Sequence, residues 1–117
     1  MSKQAVQIDL VHLAEKRETL RIVAILKDGR FHLSEMYGHV RDWTENGLEI
    51  FPFILTDEGT DRMKYVAEWG YGDKSHVTIN FAPRPLEIGQ EVIRTDIVDG
   101  KTETYAYQIV DITSLLD

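Results

Sequence analysis

The chain has 117 residues, of which 43% are hydrophobic and 28% charged, with a formal net charge of −7 and no cysteine. This length and apolar content suit one domain built around one core. The missing thiols exclude disulfides, thiolate metal sites and cysteine catalysis, and the acidic balance argues against the basic footprint that generic nucleic-acid binding needs.

Val6, Ile8 and Leu10 alternate with Gln7 and Asp9, so residues 5–13 read as a half-buried strand. The charged run 14–19 is a connector. Leu20-Arg-Ile-Val-Ala-Ile-Leu26 is nearly continuous apolar, the pattern of a strand buried on both faces. Asp28-Gly29 ends it, and Arg30–Leu33 returns as a short third strand.

Residues 34–46 predict a helix: Ser34 can cap it, Met36, Tyr37, Val40 and Trp43 recur near helical spacing, and Asn46-Gly47 is a standard stop. Gly38 inside it weakens the pattern. Residues 48–56 then form a strand interrupted by Pro52, which cannot donate to a ladder and so belongs at an edge or a bulge.

Met63, Tyr65, Ala67 and Trp69 alternate as a strand, while Thr60, Met63, Val66 and Ala67 also fit one short helix. The β formers of Tyr-Val-Ala-Glu-Trp favour the strand, and residues 70–75 form a Gly-rich loop. Val77, Ile79 and Phe81 point inward from the next strand, and Ala82-Pro-Arg-Pro-Leu86 is a stiff extended connector. Two β-rich runs around Asp99-Gly100 form a hairpin. A two-residue loop there would set Asp96 opposite Glu103; a three-residue loop, Val98-Asp99-Gly100, avoids that pair. It places Ile93, Ile97, Tyr105, Tyr107 and Ile109 on one face, with Arg94, Asp96, Thr102, Thr104 and Gln108 on the other, and is the expected register. The whole reads as a mainly β, single-domain protein: a small antiparallel barrel or sandwich of about seven to eight strands with one helix.

No motif for chemistry stands out. His12, His32, His39 and His76 lack metal-ligand spacing, Asp57, Gly59 and Asp61 lack the later ligands of a calcium loop, and neither a serine elbow nor a phosphate-cradling Gly-Lys loop occurs. An enzyme is therefore not the leading expectation, and neither a cofactor nor a metal is implied. The acidic residues concentrate at 31–60, where six carboxylates face one arginine. The leading reading is a non-catalytic interaction or regulatory module, of the inhibitor or immunity type. It would recognise a protein through Trp43, Trp69 and Tyr71 with Glu35, Asp42 and Glu45, while an edge strand offers a route to a homo-oligomer. The alternative is a ligand-binding or enzymatic barrel with Tyr105, Tyr107 and His76 lining a cavity. A winged-helix regulator ranks last, since the 34–46 helix would offer only Arg41 as a fixed positive charge. No apolar run nears the ~20 residues that span a bilayer, and the first residues lack the apolar stretch of a signal peptide, so a cytoplasmic location is expected.

Overall fold

A computed structural model describes residues 3–59, 61–69 and 76–115. The strands are β1 (Lys3–His12), β2 (Glu18–Lys27), β3 (Arg30–Phe31), β4 (Glu35–Thr44), β5 (Gly47–Asp57), β6 (Lys64–Glu68), β7 (His76–Asn80), β8 (Glu91–Val98) and β9 (Lys101–Ser114). All pairings are antiparallel. Apart from the two-residue β3, which pairs only with β2, each strand lies beside its neighbours in sequence. β1 pairs with both β2 and β9, so eight strands close into an up-and-down barrel.

An eight-stranded barrel is just wide enough for side chains to fill it, and alternation along each strand supplies the filling. Val6, Ile8 and Leu10 of β1, Leu20 and Ile22 of β2, Leu55 of β5, Ile79 of β7 and Ile109 of β9 are fully buried. Tyr65 is buried with them, and its hydroxyl donates to the Leu33 carbonyl at 2.9 Å. A barrel has one interior, which corrects the expectation for β2: only its even positions are inside, and Val23 is exposed.

The helix expected at 34–46 does not form; the segment is β4. Met36 and Val40 are four apart, a spacing that satisfies both a helical turn and a strand period of two. The strand is decided by the partners: β4 pairs with β2 on one side and β5 on the other. Gly38, which weakened the helix, has a packing role in the strand. A Cβ there would meet the Arg21 carbonyl oxygen and, at 2.9 Å, the Phe53 ring. Asn46-Gly47 is a hairpin signal and not a helix stop. Thr44 pairs with Gly47, whose φ of 99° carries the chain into β5.

The 99–100 hairpin is also corrected. Val98 pairs with Lys101 across a two-residue loop, and both Asp99 (φ 50°) and Gly100 (φ 79°) adopt left-handed backbone, as a type I′ turn requires. Its twist matches that of the flanking strands, and Asp96 does stand opposite Glu103. The inward set on β8 is therefore Val92, Arg94 and Asp96, while Ile97 lies outside and exposed. Pro52 lies within β5 opposite His39 of β4, and among the described residues β6 pairs with β5 over Ile54–Asp57.

Candidate functional site

The two barrel ends differ in chemistry. At the end where β1 stops, the inward positions turn from apolar to ionisable: His12 from β1, Glu18 from β2, Arg94 and Asp96 from β8, Tyr105 and Tyr107 from β9. The registers bring them together, with His12 opposite Tyr107 and Arg94 opposite Tyr105. Arg94 is the centre. Its guanidinium binds Asp96 in a two-pronged bond, Nε to Oδ1 at 2.8 Å and the second terminal nitrogen to Oδ2 at 2.9 Å. The planar fork of arginine matches a carboxylate in this way. It also lies over two rings, 5.3 Å from the centroid of Trp69 and 5.5 Å from that of Tyr105.

The Tyr107 hydroxyl, buried beside it, donates to Glu18, whose carboxylate lies 3.8 Å from Arg94. Burial and then the Glu18 carboxylate hold the Tyr107 hydroxyl far above the ordinary tyrosine range, so it stays a neutral donor. Burial alone would weaken the charge of Arg94, but the bonds and charge of Asp96 outweigh it and keep the guanidinium protonated. His12 packs edge-on against Tyr107 at 4.9 Å between ring centroids. Its Nδ1 accepts the amides of Ala14 and Glu15 at 3.1 and 2.8 Å, closing the β1–β2 turn. Glu103 accepts from the Tyr105 hydroxyl. Asp42 stands opposite Glu18, and Glu49 opposite Asp42, continuing the acidic rim across β4 and β5. Among the described residues no group of histidine and carboxylate side chains is arranged to hold a metal ion.

The residues singled out from sequence are divided between this mouth and the outer wall. Trp69 packs edge-on against Phe53 inside the barrel, at 5.4 Å; Tyr105, Tyr107 and Asp42 join the mouth. Trp43 and Glu35 point outward from β4, Glu45 lies in the β4–β5 turn, and His76 is exposed on β7 opposite Ile97. Tyr71 lies outside the described residues. Sequence reasoning missed Arg94, Asp96, Glu18 and His12. The expected three-residue loop had put Arg94 and Asp96 on the face opposite Tyr107, and nothing local marked Glu18 as interior.

The outer wall carries a second feature. On the outside of β4 and β5, Tyr37 is 57% exposed, Trp43 54% and Ile50 53%, with Ile54 and, on β2, Val23 also exposed. The registers make them one surface: Tyr37 faces Ile54, Arg41 faces Ile50, and Trp43 faces Leu48. The Tyr37 hydroxyl donates to Glu35 at 2.8 Å, which raises its affinity for its proton. Comparison with known proteins finds no matching family model, no matching curated protein and no matching solved structure.

Proposed function

We propose that the chain is a non-catalytic protein-interaction module that docks through the outer face of β4 and β5. The observation that carries this reading is one outward row on adjacent strands, Ile50, Pro52 and Ile54 along β5 with Tyr37 and Trp43 on β4 flanking it, all exposed. Monomeric surfaces scatter single apolar residues, whereas grouped aromatic and aliphatic side chains with a polar rim mark contact surfaces. Glu35 and Glu45 at the two ends of β4, with Arg41 opposite Ile50 between them, supply that polar rim.

The test compares the wild-type chain with Trp43→Ser and Ile50→Asp, both outward-facing changes. In a quantitative capture from the native cell extract, partners retained by the wild type are expected to be lost from both variants. Their thermal midpoints should stay within about 4 °C of the parent, the shift a change of about 1 kcal/mol produces in a chain of this size. Sedimentation of the same three proteins separates self-association from a foreign partner. Partners retained equally by all three proteins would exclude this face.

The alternative, a ligand-binding barrel, draws on the ionisable cluster that rigid strands hold at the mouth. It ranks second because Asp96 and Glu18 already occupy the hydrogen-bonding groups of Arg94 and Tyr107.

A further inference from the structure

The opposite barrel end bears a groove of about 380 Å³ between β3, the 61–63 segment and the connector after β7. Its floor is apolar: Phe31 and Phe81 meet edge-on with ring centroids 4.6 Å apart, and Leu86 completes it. Its rim is basic. Arg30, Arg62 and Arg84 line it with Asp61; Arg62 is paired with the buried Asp57, so among the described residues Arg30 and Arg84 supply its unpaired positive charge.

The groove is held rigid on two sides. The side chain of Asp57 is wholly buried and accepts both the backbone amide of Arg62 at 3.1 Å and its guanidinium at 2.8 Å. This fixes Arg62 with a φ of 60°, a left-handed backbone that non-glycine residues adopt rarely and that clusters at functional positions. The Arg62 Nε donates to the His32 carbonyl at 3.4 Å. On the other side the Leu86 amide donates to the Gly29 carbonyl at 2.8 Å, and Pro83 and Pro85 stiffen the connector. Arg30 and Arg84 are exposed, and among the described residues neither is in an ion pair.

We propose that this groove binds a small organic anion, its apolar body on Phe31, Phe81 and Leu86 and its charged head between Arg30 and Arg84, beside the Asp57-bound Arg62. Guanidinium groups pair with carboxylate and phosphate heads alike through their fork of donors. The volume falls within the range of small-molecule sites. The location is independent of the β4–β5 face, so either assignment can fail alone.

The experiment titrates the ¹⁵N-labelled full chain with octanoate, octyl phosphate, octan-1-ol and octylammonium, following backbone amides and arginine Nε–H signals. Octanoate or octyl phosphate is expected to shift Phe31, Met63, Phe81 and Leu86 saturably, and at least about tenfold more tightly than octan-1-ol. Comparing the two anions identifies the preferred head group, and octylammonium should bind no better than the alcohol. Arg30→Gln and Arg84→Gln, exposed and outside any ion pair, should each weaken the preferred anion severalfold, with the amide spectrum otherwise unchanged. The proposal is overturned if neither anion binds better than octan-1-ol, if the shifts map to Tyr37–Ile54, or if both arginine variants bind as the parent does.

Discussion

Arg94 shows how one residue can be judged by its neighbours. Its side chain is 17% exposed and that of Asp96 14%, so each charge depends on the other, with Glu18 and the two rings around them. Removing one partner of a largely buried pair leaves the other uncompensated, at a cost of roughly 3 kcal/mol. Arg94→Met should therefore lower the urea midpoint markedly, and Arg94→Met combined with Asp96→Leu should cost less than Arg94→Met alone. A double-mutant cycle in urea checks this. On the outer wall, His39 has its imidazolium disfavoured by burial, then by Arg21 and Arg41, and only partly helped by Asp9. Its affinity for a proton is thus lower folded than unfolded. Between those two values the unfolded chain binds more protons, so stability rises with pH there. The His39 contribution is complete above the ordinary histidine value of 6.5 and is lost as pH falls below it. Urea midpoints measured from pH 8 down to about 5 should fall in that window, and His39→Gln should flatten that part of the profile.

At the scale of elements, the turns set the registers. The Asp99-Gly100 turn is legible as a hairpin but its loop length is not, because the Asp96–Glu103 repulsion that favours the longer loop is relieved by other partners in the fold. Asp96 is neutralised along its own strand by Arg94, and Glu103 accepts from Tyr105, so the opposed carboxylates each have another partner. A type I′ turn needs positive φ at both loop residues, which an Asp-Gly pair tolerates well. Gly100→Ala should cost about 1–2 kcal/mol from left-handed strain alone, since nothing crowds a Cβ there. Thermal denaturation would register it, and Asp99→Asn should be neutral or slightly stabilising, asparagine being favoured in I′ turns. β4 carries the opposite lesson. Its cap, its spacing and its Asn-Gly all read as helix, yet the residues pair on both edges. Local preference is a weak term beside two ladders and a buried Met36.

For the whole molecule, closure is the governing fact. β1 is gripped by β2 and β9 and contributes Val6, Ile8 and Leu10 to the core, each fully buried. Ile8→Ala should cost about 2–5 kcal/mol. Because the closed barrel shares one core, unfolding of the parent and of this variant should remain one transition. Coincident far-ultraviolet dichroism and Trp69 fluorescence curves, the latter in a Trp43→Phe background, would verify that. Closure also sorts the functional surfaces: an ionisable mouth at one end, an arginine-rimmed groove at the other, and an apolar stripe on the wall.

Alternation in the sequence determined the strands β1, β7 and β9, their inward residues, and the mainly β class, because a period of two survives in any sheet. For β6 the same residues also fitted a short helix, and strand pairing decided it. The Asp-Gly pairs likewise marked where the chain reverses. Only the tertiary structure decided that 34–46 extends, that β2 has one buried face, and that Arg94 and Asp96 turn inward beside Tyr107. These depend on which strands are neighbours and in what register, and a shift of one residue exchanges the two faces of a strand.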